Sequence, residues 1–287
     1  MACRVWSAPA LRTVAAIVAT LAPAAASAPP DATGDLVARA RASWTAFEAS
    51  LGSVLADEDY RQEAVWPKTL PGNAAVRQLR SELLLFQVPG SSEWVTFRHV
   101  EEVDGAAPPV PPPSLVDTLA DPSRSLNARV GALVRASAFY NLGDFERTIN
   151  TPTFAPIVLR PEHTRRVKFH REGEADIEGV PAVIVRFDET ARPTIVRGLG
   201  TRNVPMRGRL WLDAATGQVL RSVLTMEDGR GPLTATIDVD YGHDAGLGMM
   251  VPQVMRERYE RRKHVVTTEA RYRNYRRFTT SVRIIGD

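Results

Sequence analysis

The 287-residue chain carries 36 basic and 33 acidic side chains, a formal net charge of +3 and a single cysteine, Cys3. With no later cysteine a disulfide framework is excluded, so stability has to come from core burial, for which a chain of about 260 residues is long enough. The pI of 9.2 overstates how basic the working protein is if the first residues, with Arg4 and Arg12, are removed; nearly all positive charge is arginine, the only lysines being Lys68, Lys168 and Lys263.

Arg4 and Arg12 precede an apolar run from Val14 to Leu21, and small residues follow from Ala22 to Ala28. That order is the pattern of a secretory signal peptide spanning 1–26, with cleavage after Ala26 in Ala24-Ala25-Ala26 rather than ahead of Pro29. The run is shorter than the roughly 20 apolar residues of a membrane span. Cys3 lies ahead of it and is not placed to be a lipidated first residue. The expected location is the periplasm or the exterior, and residues 27–287 are expected to form a single domain.

After a flexible leader at Pro29 to Gly34, Leu36, Ala40, Trp44, Phe47 and Leu51 recur at spacings of three and four, an apolar helical stripe with Asp35 as N-cap. Strands follow at Asp59 to Trp66, Gln78 to Val88 and Glu93 to Val103. A proline-dense loop at Ala106 to Pro113 is unfit for a sheet interior, and a second helix spans Ser125 to Tyr140. Pro152 to Leu159 reads as a short helical turn, so the stretch from about 106 to 160 is loop and helix. Strands resume at Arg165 to Arg171 and Val180 to Phe187, with an ambiguous segment around Ile195.

Residues 206 to 241 are the most readable. Met206, Gly208, Leu210 and Leu212 share one strand face, and Asp213 to Gly217 is a tight turn with Gly217 in the left-handed position. Gln218 to Met226 returns, and a break follows at Asp228 to Pro232. Leu233, Ala235, Ile237, Val239 and Tyr241 then alternate with Thr234, Thr236, Asp238 and Asp240. Strict period two requires one buried and one wet face. Val251 to Tyr259 and His264 to Tyr275 complete a mainly β, α+β chain built on a curved antiparallel meander. Leu210, Leu212, Ile237, Val239 and Tyr241 are the residues expected to line its concave side.

Catalytic patterns are absent from the sequence: no H-E-x-x-H, G-x-S-x-G or P-loop occurs, and no catalytic residue, metal ligand or cofactor is assigned. His99 and Glu101 share a strand face, which two groups alone explain better as a surface polar pair; replacing either by alanine is expected to leave activity within a factor of a few. Gly198-Leu199-Gly200 reads as a loop. Arg271, Arg273, Arg276 and Arg277 interleave with Tyr272, Tyr275 and Phe278. A last strand with a solvated arginine face ranks above peripheral attraction to anionic lipid, and nucleic acid, removed by export, ranks last.

The run Gly208-Arg209-Leu210-Trp211-Leu212-Asp213-Ala214-Ala215-Thr216-Gly217-Gln218-Val219-Leu220-Arg221, the alternating strand to Tyr241, Leu247 to Pro252 and Tyr272 to Phe278 resemble the LolA-like superfamily of outer-membrane lipoprotein-sorting proteins. The likeness is especially to exported relatives with an added central helical segment, here around Tyr140-Asn141-Leu142-Gly143 and Arg147-Thr148-Ile149-Asn150. The resemblance covers roughly residues 160 to 280. It implies an incomplete antiparallel β-barrel, a half-barrel wrapped around a few helices, with an apolar cavity for acyl chains. The function it implies is a non-enzymatic carrier or sensor of lipid or lipoprotein acyl chains, with envelope protein partners. An envelope scaffold without ligand and an exported hydrolase with an unrecognised site are the alternatives.

Overall fold

The computed structural model describes residues 32–51, 53–66, 74–87, 94–143, 147–198, 202–227 and 233–277. The signal segment, the break at 228–232, Leu199, Gly200 and Phe278 lie outside them.

Helix α1 (Ala32–Leu51) is followed by strands β1 (Ser53–Val65), β2 (Ala74–Gln87) and β3 (Trp94–Val103). Next come α2 (Leu115–Ala120) and α3 (Leu126–Ala138), then 3₁₀ turns at Ala155–Leu159 and Pro161–His163. The remaining strands are β4 (Val167–Ile177), β5 (Val180–Glu189), β6 (Val196–Gly198), β7 (Arg202–Val204), β8 (Met206–Asp213), β9 (Val219–Glu227), β10 (Leu233–Asp244), β11 (Met249–Arg261) and β12 (His264–Arg277). Ten strands form one curved antiparallel sheet in the order β3-β2-β1-β12-β11-β10-β9-β8-β5-β4, which does not close into a barrel. The short β6 and β7, in the segment that reads ambiguously, pair only with each other.

Local chemistry sets most boundaries. Ser125 caps α3, its Oγ accepting from the Ala128 N–H at 3.3 Å, and Ser114 caps α2 in the same way from Asp117. The six-residue α2 has no periodicity long enough to be read in advance. α1 begins at Ala32, four residues before the stripe does, which moves Asp35 from cap to first turn, where its charge favours the helix N-terminus. Between β8 and β9, Asp213 Oδ1 accepts from the Ala215 and Thr216 N–H groups, and Gly217 takes φ +75°. The register shifts by one residue between Trp211 and Leu212, so the hairpin is bulged as the turn sequence anticipates.

The concave face buries Val54, Ala56, Tyr60 and Ala64 of β1, Val266 and Ala270 of β12, Met255 and Tyr259 of β11, and the apolar series of β10, β8 and β5. α1 and the 3₁₀ turn carrying Val158 and Leu159 fill the concavity. A second cluster lies on the opposite face of β2 and β3, where Leu84, Phe86, Val95 and Phe97 meet Leu119 of α2 and Leu133 of α3. α3 also satisfies the exposed edge of β3, since Ser137 Oγ accepts from the Arg98 N–H at 2.9 Å.

The outer face is a mesh of cross-strand ion pairs. Arg221 donates to Asp238 at 2.9 Å and Arg256 to Asp240 at 2.7 Å, and Arg256 also pairs with Glu269 at 3.4 Å. Arg273 meets Asp59, and Arg276 bridges Asp57 and Glu82. The arginine-rich last strand is therefore an interior strand with a paired outer face, while Tyr272 and Tyr275 are buried on its inner face.

Candidate functional site

α1 lies in the hollow of the sheet, and its two halves are held differently. Leu36, Val37 and Ala40 are buried, and the β8–β9 turn sits directly on the helix backbone. A Cβ on Gly217 would stand 2.6 Å from Ala40 N and 2.8 Å from the Arg39 carbonyl carbon, so only glycine permits this contact. Arg39 adds a hydrogen bond to the Ala214 carbonyl at 3.2 Å.

Beyond Ala40 the packing opens. Trp44 and Phe47 stack with ring centroids 4.6 Å apart. On one side of this pair a cleft of about 230 Å³ is bounded by Ser43, Val219, Tyr241, Met249 and Met250. On the other, a cleft of about 260 Å³ is bounded by Leu51, Val95, Val130, Val134, Phe154 and Ile157, with Glu48, Arg160 and four threonines on its walls. Trp44 and Phe47 belong to both. Two clefts separated by one aromatic pair together fall within the roughly 300–1,000 Å³ of small-ligand sites.

The five residues expected to line a cavity do share the inner face, but only one borders a cleft. Leu210 and Leu212 are 0 % exposed and Ile237 and Val239 are 1 % exposed, all inside the closed core. Tyr241 forms part of the smaller cleft and donates its hydroxyl to the Pro152 carbonyl at 2.7 Å. Burial pushes its phenol well above the ordinary range. The cleft walls that sequence reasoning missed are Met249 and Met250, which follow a turn and carry no periodic signal, and the polar set on the larger cleft. Trp44 and Phe47 were visible only as part of a helical stripe.

Glu48 of α1 accepts from Arg160 Nε at 2.8 Å, tying the open half of the helix to the end of the first 3₁₀ turn. Partial burial raises the Glu48 carboxyl above its ordinary value, against the lowering effect of Arg160. His99 and Glu101 lie on β3, and Glu101 stands 3.8 Å from Arg80 on the sheet surface.

A buried charged network lies deeper in the hollow, on residues whose charge reads as surface polarity in an alternating strand. Glu58 forms a two-pronged pair with Arg98, whose Nη2 lies 2.8 Å from Oε1. Glu257 accepts from Tyr60 at 2.7 Å, Tyr259 at 2.6 Å and Thr268 at 2.7 Å. Arg147 donates to the Tyr60 hydroxyl at 3.0 Å and to Gln62. Burial and the Glu257 charge push the Tyr60 phenol up to about 12, whereas Arg98 keeps its proton because Glu58 overrides the burial that would lower it. Two guanidinium groups thus face two carboxylates whose four oxygens all accept hydrogen bonds, while the buried Arg147 Nε has no partner among the described residues. A space of about 10 Å³, room for about one water, touches the network at Arg98. Through this network Tyr140, Leu142 and Arg147 are fastened to β1 and β11. Among the described residues no group of three or more acidic, histidine or cysteine side chains could hold a metal, and no helix is long and apolar enough to cross a membrane.

No family model and no curated protein matches the sequence. Among solved structures, a candidate outer membrane lipoprotein-sorting protein domain from Vibrio parahaemolyticus aligns over 86% of this chain and 95% of its own, at 12% identity and a TM-score of 0.41. A DUF1329 family protein from Desulfovibrio piger aligns over 87% and 93%, at 11% identity and 0.36. A LolA superfamily protein from Nitrosomonas europaea aligns over 86% and 94%, at 11% identity and 0.33.

Proposed function

We propose that this protein is a non-enzymatic exported carrier or sensor that shelters an acyl chain of a lipid or lipoprotein between α1 and the concave sheet. The observation that carries the reading is the pair of clefts separated by Trp44 and Phe47. A reorientation of Phe47 would join them into one continuous trough beside the C-terminal half of α1. Methionines at one end suit a ligand of variable shape, because the unbranched thioether adapts to irregular contacts.

Native mass spectrometry of protein purified from its own envelope tests this reading. Bound lipid is expected in the wild type and reduced in Met250→Trp, which fills the smaller cleft with little effect on melting temperature. Val239→Trp acts on the closed core instead and is expected to cost about 1–3 kcal/mol, roughly 2–10 °C. Wild-type protein without any bound lipid would overturn the carrier reading. A ligand-free envelope scaffold is then the better conclusion, and the near-complete burial of Leu210, Leu212, Ile237 and Val239 is the observation that favours it. Export itself is checked by N-terminal sequencing of envelope protein, which should begin at Ser27 or within two residues of it; a retained Met1 would refute it.

A further inference from the structure

The larger cleft differs from the smaller one in carrying a charged pair at its wall. Glu48 and Arg160 are each less than a fifth exposed and meet at 2.8 Å. The indole N–H of Trp44, a buried residue, leans toward the Glu48 carboxylate without completing a hydrogen bond. Thr148, Thr151 and Thr153 border the same space, and Thr148 is exposed, so this side of the cleft is reached from solvent.

On the premise of the carrier reading, we infer that this wall is a head-group site: Arg160 receives the carboxylate of a single-chain amphiphile, a long-chain fatty acid or its analogue, whose tail lies along Phe47, Val134 and Ile157. Arg160 already holds a carboxylate, that of Glu48, and an incoming one can take the same place on the guanidinium. Charge selects the head. One guanidinium balances one negative charge, and Glu162, which faces Glu48 from the second 3₁₀ turn, penalises a dianionic phosphate monoester. Among the described residues the charged groups that act on Glu48 are Arg160 and Glu162, while α3 and β3 line the cleft with Val130, Val134, Val95 and Thr96.

The exchange has a proton balance. Glu48 is already harder to ionise than a solvated glutamate because it is partly buried. Once the ligand occupies Arg160, Glu48 loses the interaction that lowered its pKa, so the carboxyl is raised further and takes up protons from solvent, at most one per ligand. The complex therefore forms with net proton uptake, and affinity falls as pH rises between the Glu48 values in the free and bound protein, by at most about tenfold per pH unit.

Calorimetric titration of delipidated protein with laurate and with methyl laurate, in two buffers of different ionisation enthalpy, tests the site. Laurate is expected to bind roughly 10- to 100-fold more tightly than the ester, the worth of a charge-assisted bond, with proton uptake from the buffer. Arg160→Gln should bring the two ligands to parity, and Glu48→Gln should bind laurate without proton uptake. Parity in the wild type, or binding without proton uptake, overturns the head-group site while leaving a carrier of apolar chains intact. Failure of both ligands to bind overturns the carrier reading and the site with it. The wild-type buffer comparison stands even if a variant does not fold.

Discussion

Arg98 and Arg256 lie on the same sheet, one on its inner face and one on its outer. Arg98 is 2 % exposed and has Glu58 as its ionic partner, whereas Arg256 stands in water between Asp240 and Glu269. Removing one member of a buried pair strands an uncompensated charge, so Arg98→Met is expected to cost about 3–5 kcal/mol. Arg256→Gln should cost no more than about 1 kcal/mol, the range of exposed pairs. Urea midpoints of the two variants check this, and equal losses would show that the inner pair is solvated. Sequence could not separate these arginines, because both stand in alternating strands and an interior one looks like a surface one until its partner, 40 residues earlier, is placed beside it. Gly217 was legible for the opposite reason, since a five-residue turn encodes its own backbone. What remained hidden was the second demand on Gly217, its contact with the backbone of α1, which depends on an element some 175 residues away.

At the scale of the element, α1 is a helix held by the β8–β9 turn at one end and flanked by two clefts at the other. Gly217→Ala must both adopt φ +75° with a side chain and displace the α1 backbone. A loss of about 2 kcal/mol or more is expected, with hydrogen exchange rising first in residues 36–40. Exchange rising first in β8 and β9 instead would mean that the turn yields and the helix does not. Glu48 contributes a pH dependence whose sign follows from its direction of shift. Its folded-state pKa lies above the unfolded one, so its contribution to stability is present in acid and lost as pH rises through the folded value. Glu48→Gln is accordingly expected to raise the melting temperature at pH 7–8 relative to wild type, with the difference vanishing below about pH 4, under the ordinary glutamate value. A constant difference across pH would point to the Arg160 hydrogen bond instead. The stripe from Leu36 to Leu51 announced α1, since 3.6-residue periodicity survives any tertiary context. The clefts beside it did not announce themselves, because a void is set by how neighbouring elements fail to meet and no residue records that alone.

For the whole molecule, the legible part was the alternation. Strands from 206 to 241 bury the residues that the pattern assigned inward, and the sheet is curved and antiparallel. Strand lengths were less legible: β1 starts at Ser53 and β4 runs to Ile177, both well past the stretches that read as strands. In β1 the inward positions include Glu58 and Gln62, so polarity there runs against the usual phase. β4 alternates half-buried and exposed residues along an edge and contains a bulge between Arg171 and Gly173, which bends it out of the flat geometry that recruits foreign strands.

The strand order carries a kinetic consequence. β1 to β3 reach the rest of the sheet only through β12, and the bond from Arg276 to Asp57 spans 219 positions. β4 to β11 can assemble as neighbouring hairpins while the chain is still being made, but the first hairpin pair has nowhere to dock until the last strand exists. Loop closure over such a separation is slow, which places folding toward the millisecond-to-second end of the scale and leaves the Glu58–Arg98 pair without its apolar cover until late. The order of synthesis and the order of assembly therefore run in opposite directions, and the emerging chain stays in an incompletely folded, threadable form until β12 is in place.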